Sequence, residues 1–177
     1  MIGTKIVSLG GVNVVLDVMK QHKNDRGVAT KACDALASFI SNSSNVKFEA
    51  ASLGGIRAVV DVMKQHMHDK GVAEQACRAL GSLVANNSRN CLDASSLGGI
   101  EAVLDAIKLH MHDTGVAEQA CDALVSLAFS SNNQAKIVSL GGIGAVLDVM
   151  KQHQLLKKLA VQALKALSRL AANNANA

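Results

Sequence analysis

The chain has 177 residues, 49% of them apolar, with no Pro, Trp or Tyr, three Phe and a net charge of +4. That length supports a sizeable core, whereas apolar runs of only a few residues exclude a bilayer-spanning helix, and the lack of alternating aromatic and β-branched stretches argues against a sheet. Four cysteines in a chain of this size do not make a disulfide framework and suit a reducing setting, the cytoplasm or the nucleus.

In chain order, the first landmark is SLGG at Ser8–Gly11, after an opening too poor in apolar length for a secretory signal. The same four letters return at Ser52–Gly55, Ser96–Gly99 and Ser139–Gly142, at offsets of 44, 44 and 43. Laid over the first copy, SLGGIRAVVDVMKQHMHDKGVAEQACRALGSL is identical at 20 of 32 positions. A period in the low forties is a solenoid signature. It divides the single domain, 1–177, into units of roughly 1–43, 44–87, 88–131 and 132–177.

Unit two serves as the type. A short segment runs from Asn45 into Leu53 and stops at Gly54–Gly55. A second, from Ile56 to about His66, places Ile56, Val59, Val60, Met63 and Met67 at helical spacing. After HDKG a third runs from Val72 to about Ala85, with Val72, Ala73, Ala76, Cys77, Leu80, Leu83 and Val84 on two adjacent faces. Three helices per unit are predicted. Glycine takes the left-handed conformation that closes a helix and lets two helix axes pass closely, so a sharp turn at one place per unit accounts for the recurring pair. A phosphate loop would need a preceding strand and wider glycine spacing.

The period, the short–medium–long helix pattern and the glycine pair before the second helix resemble the armadillo repeat over nearly the whole chain. GGIRAVVDVMKQH and GVAEQACRALGSLV are similar to that family's second and third helices, and NNQAKIVSLGGI to its first-helix junction. The resemblance implies an all-α, right-handed superhelix whose third helices line a concave, partner-binding groove. Members that clamp an extended peptide often carry Trp and, four residues later, Asn on the third helix. Here those positions are Asp34, Arg78, Asp122 and Gln162, then Ser38, Ser82, Ser126 and Ala166. An amide ladder gripping a peptide backbone is therefore not expected, because a hydroxyl is shorter and single-pronged.

Candidate catalytic and metal residues are few. HMHD at 66–69 and 110–113 offers histidines two apart, which on a helix point away from each other and could share an ion only past the helix end. His22, His66, His110 and His153 instead recur at the end of each second helix, where they suit the C-terminal dipole. Cys33, Cys77 and Cys121 recur in the third helix as packing residues with no histidine base nearby in sequence; the setting of Cys91 is left open. Asp17, Asp61, Asp105 and Asp148 each precede a lysine by three residues, an ordinary surface pairing. No cofactor, metal or catalytic residue is expected, and the chain reads as a non-enzyme.

Unit four departs from the period. From His153 to the cysteine counterpart Val161 the interval is 8 residues, against 11 in earlier units, and QLLKK replaces the Asp-x-Gly linker. Ala, Leu, Lys and Gln favour helix, so fusion of the second and third helices is expected. That leaves Leu155, Leu156, Leu159, Leu164 and Leu167 seeking a partner, with a homodimer through the C-terminal helix as the candidate. A short turn at Gln152–Gln154 is the rival. At the other end Ile6, Val7 and Leu9 match a buried junction, so a head-to-tail contact or a longer array is a further alternative.

The predicted partner face is the i,i+4 row of the third helices: Thr30, Asp34 and Ser38; Glu74, Arg78 and Ser82; Glu118, Asp122 and Ser126; Lys158, Gln162 and Ala166; with Lys165 and Arg169. The expected function is a scaffold holding an unidentified protein or peptide there. Residues 1–135 carry 12 basic and 13 acidic side chains, whereas 136–177 carry six basic residues and only Asp148. The alternative is nucleic-acid or acidic-surface binding through that basic end.

Overall fold

The computed structural model describes Lys5 and residues 9–41 and 43–172. Among them every regular element is an α-helix. Unit one contributes α1 (Gly11–Gln21) and α2 (Arg26–Ser41). Unit two contributes α3 (Ser44–Ser52), α4 (Gly55–Gln65) and α5 (Lys70–Val84). Unit three repeats the triplet as α6 (Ser88–Ser96), α7 (Gly99–Leu109) and α8 (Thr114–Leu127). Unit four follows with α9 (Ser131–Ser139), α10 (Gly142–Gln152) and α11 (Lys157–Ala171). Ile6 and Val7, expected at an unshielded end, lie outside the described residues.

The two glycines of each pair do different things. Gly10, Gly54, Gly98 and Gly141 have φ of 70°, 85°, 85° and 81°, the left-handed region that an L side chain resists. The second glycine begins the next helix and makes room. A methyl group on Gly55 would lie 2.6 Å from the Ala50 carbonyl oxygen, and one on Gly99 2.8 Å from that of Ala94. The turn and the close approach are thus separate requirements met by adjacent residues.

The third helix starts at an aspartate. Asp25, Asp69 and Asp113 accept from the backbone N–H of Val28, Val72 and Val116 at 2.9, 3.0 and 3.1 Å, satisfying a donor that the first turn leaves open. Once begun, the third helices make the most extensive packing in the molecule: α2 on α5, α5 on α8 and α8 on α11. Their core is small, built on Ala76, Cys77 and Leu80 and on Ala120, Cys121 and Leu124. Gly81 belongs to this seam, since a methyl there would approach Ala123 Cα to 3.3 Å. Second helices touch their neighbours more sparingly.

Unit four corrects one expectation. Its second and third helices are not fused. The helix stops at His153, whose N–H bonds the Val149 carbonyl, and the Leu156 N–H returns to the His153 carbonyl at 3.0 Å. Local helix propensity is outweighed by burial: turning back lets α11 seat Leu159, Ala163, Ala166 and Leu170 against the array. Leu159 is only 1% exposed, so it is unavailable to the dimer strip predicted with Leu155 and Leu156; Leu155 is 98% exposed. The turn has no aspartate cap, and Leu156 stands at the N-cap position without a side-chain bond.

Candidate partner-binding face

Because successive third helices stack, residues one period apart come together. The Arg78 Nη1 donates to Asp34 Oδ1 at 2.7 Å across 44 residues of sequence, and Lys158 pairs with Glu118. Arg169 reaches back to the Val125 carbonyl at 2.9 Å and lies over the Phe129 ring, 5.7 Å from its centre. Thr30 Oγ1 donates to its own helix at the Arg26 carbonyl. Thr30, Asp34, Ser38, Glu74, Arg78, Ser82, Glu118, Ser126, Gln162 and Arg169 are half-buried, and Asp122, Lys158 and Lys165 exposed. The row predicted from sequence is therefore a continuous, solvent-reaching strip. Ala166 is the exception, being fully buried.

The electrostatics of the strip are mostly internal to it. Partial burial raises the Asp122 carboxyl above the usual carboxylate range, against the pull of Lys165, with Glu118 reinforcing the rise and Lys158 opposing it. The Gln162 amide oxygen is enclosed and accepts no hydrogen bond. At the end of the strip in units one and two, Ile40, Ser41, Ser43, Ser44, Lys47, Ser82 and Ala85 line a cavity of about 480 Å³. Lys47 crosses to the Ala85 carbonyl there at 3.0 Å.

Histidines and cysteines take structural places. His66, His110 and His153 cap the second helices, and each Nε2 lies 2.7–2.8 Å from a carbonyl of the preceding unit: Lys23, Met67 and Met111. A carbonyl only accepts, so each Nε2 carries a proton and the imidazoles cross-link consecutive units. HMHD lies past the helix end, with His68 and His112 exposed. All four thiols are free and buried. Burial pushes Cys33 and Cys121 up to about 12 and Cys91 to about 11, and raises Cys77 as well, which suppresses the thiolate a nucleophile needs. Of the expected Asp–Lys pairs, Asp17–Lys20 and Asp148–Lys151 are present at 3.8 and 3.2 Å, whereas Lys64 donates to the Leu97 carbonyl at 2.8 Å.

Two asparagines had not been singled out from sequence. Buried Asn90 donates to the Leu83 carbonyl at 2.8 Å, and Asn133 to those of Leu127 and Cys91 at 3.1 and 2.9 Å. They satisfy the last carbonyls of α5 and α8. The available signal was their own recurrence, 43 residues apart, near the start of α6 and α9.

The fold is shared with engineered proteins. Three crystal structures of engineered proteins superpose at TM-scores of 0.82, 0.81 and 0.84 with identities of 22%, 22% and 18%. Each covers 95–96% of this chain, which spans 65%, 39% and 67% of their lengths. A chain from a structural study of the phosphorylation-controlled interaction between cadherin and β-catenin, an armadillo-repeat protein, is similar at a TM-score of 0.57 and 18% identity, over 98% of this chain and 40% of that one. No protein-family model and no curated protein sequence matches the chain. These likenesses establish an all-α helical-repeat fold with stacked units. No described helix is long and apolar enough to cross a membrane.

Proposed function

We propose that this protein is a non-catalytic scaffold that holds a partner protein or peptide along its third-helix strip, with the units forming a right-handed, armadillo-like superhelix. The observation that carries this is the strip itself, a polar row half-open to solvent and running through every unit. Tight packing between third helices and looser packing between second helices supports a curvature with the strip on the inner side. The remote likeness to a β-catenin study agrees with that arrangement. Histidines committed to backbone carbonyls and thiols raised by burial favour a scaffold over a catalyst. Reduced, buried thiols fit the cytoplasm or nucleus.

Nucleic-acid binding through the basic end is the weaker proposal. Three of that end's six cations are already paired, Lys136 with Glu101, Lys151 with Asp148 and Lys158 with Glu118, which leaves Lys157, Lys165 and Arg169 to meet phosphates. Charge already neutralised within the fold releases few counterions from a phosphate backbone.

The test is capture of partners on immobilised protein, followed by affinity measurements on the partner recovered. Arg78→Ala and Asp122→Ala each remove a central charge of the strip. Their folds should persist, because a surface ion pair contributes about 1 kcal/mol at most. A loss of about tenfold or more in one of them supports the assignment. Wild-type affinity in both overturns it.

A further inference from the structure

Unit four presents a second surface, sharing only Lys165 with the strip, where the repeat pattern changes chemistry. Its Leu147, Val161 and Leu164 stand at the register positions of Leu104, Cys121 and Leu124 in unit three. Those three are sealed, at 2%, 0% and 0% exposure, whereas Leu147, Val161 and Leu164 are 40%, 43% and 55% exposed. The corresponding face of unit three is covered by α11, and that of unit two by α8. Helices seated on this face are thus the established mode of packing in this molecule.

A further unit of the same kind would fit poorly. Lys157 occupies the position of Ala73, which packs with Ala102 and Ala106 of the next second helix around a cavity of about 10 Å³. Buried Ala29 and Ala117 hold that position in the other units, whereas Lys165 stands where Ala37, Gly81 and Val125 stand, so its change is one of charge, and its field also reaches Asp122. Both lysines are exposed, and among the described residues neither is in an ion pair. Helix α11 contains no acidic residue. The carboxylate on the adjacent α10, Asp148, already meets Lys151 at 3.2 Å.

We propose that this face docks an amphipathic helix of a partner protein, its apolar residues seated on Leu147, Val161 and Leu164 and its flanking carboxylates meeting Lys157 and Lys165. The apolar centre supplies affinity and the two lysines select sign and register. A second copy of the chain is a poor occupant: a symmetric pairing of α11 helices would bring lysines against lysines with no carboxylate between them, and a head-to-tail copy would meet Lys157 where a small buried alanine stands in the other units.

The probe is a pair of labelled synthetic helices of the 15-residue length of α11, with leucines at i, i+3, i+4 and i+7 and flanks of either Glu or Lys. Anisotropy titration of the intact protein should show the Glu-flanked helix binding at least about tenfold more tightly than the Lys-flanked one. Leu164→Gln, an exposed site whose change leaves the fold intact by circular dichroism, should abolish binding. Lys157→Glu with Lys165→Glu should reverse the preference, and Arg78→Ala should leave it unchanged, which separates this surface from the strip. Equal binding of the two helices, binding indifferent to Leu164→Gln, or no binding of either overturns the proposal. So does a concentration-dependent dimer in sedimentation that Leu164→Gln abolishes, because the occupant is then a second copy. Retention on phosphatidylserine vesicles without helix binding overturns it in favour of a lipid surface.

Discussion

Substituting alanine at each glycine of a pair separates turn geometry from close approach. At Gly54, with φ of 85° and no atom within 4 Å of a new methyl, the cost is conformational. A left-handed L residue costs about 1–2 kcal/mol, and the stiffened unfolded chain returns about 0.4–1 kcal/mol. The net destabilisation is about 1 kcal/mol, or roughly 2–4 °C in Tm for a chain of this size. At Gly55 the backbone is helical, so propensity alone favours alanine by about 1 kcal/mol. The new methyl, however, would sit 2.6 Å from the Ala50 carbonyl oxygen and 3.2 Å from its carbon, both backbone atoms. Overpacking against an unyielding neighbour costs about 3 kcal/mol. Gly55→Ala should therefore destabilise by about 2 kcal/mol, a fall of roughly 4–8 °C, while Gly54→Asn stays within about 0.5 kcal/mol because Asn tolerates this conformation. Thermal unfolding followed at 222 nm reads all three. A Gly55→Ala Tm at or above wild type refutes the close-approach argument.

Two further outcomes follow from titratable groups. Burial alone would raise the Asp113 carboxyl, but the Val116 N–H and the Lys70 ammonium at 3.1 Å outweigh it and hold the group below the ordinary range. Its stabilisation is complete above the unfolded value near about 3.9 and fades as pH falls through the lower folded one; Asp113→Asn, which keeps a cap but cannot titrate, should lose less stability than wild type between pH 5 and 3 on urea titration. Native protein at pH 8 should resist thiol labelling, because Cys33 and Cys121 titrate at about 12 and Cys91 at about 11; all four should label promptly in denaturant, and stoichiometric labelling without it would refute their burial.

Much of the fold was legible because the residues that announce it have few substitutes. A positive φ admits little besides glycine, so SLGG declared its turn four times. Helical periodicity likewise marked the faces that are buried, except at Met67, which lies past the helix end and is exposed. Part of what was missed depends on partners a full period away. The His66 imidazole was readable as a helix end, but its bond to the Lys23 carbonyl exists only once units stack. Asn90 and Asn133 escaped notice for a nearer reason: the Leu83 and Leu127 carbonyls they satisfy lie seven and six residues back, across the turn from third to first helix. Unit four misled for the converse reason. Its local sequence favours one long helix, and only the core waiting for Leu159, Ala163 and Leu170 makes the turn at His153 preferable.

The pairing of charges between units also decides what the proposed strip would select. Arg78 already faces Asp34 at 2.7 Å, so a ligand carboxylate there exchanges one ion pair for another and gains little. Glu118 is likewise met by Lys158. Asp122 is different: among the described residues it is in no ion pair, and its surroundings disfavour its charge. A ligand cation beside it would reverse that penalty as well as add its own attraction. A cation beside Asp122 is thus the feature the proposed strip would reward. On that reasoning the Asp122 substitution weakens the partner more than the Arg78 substitution does.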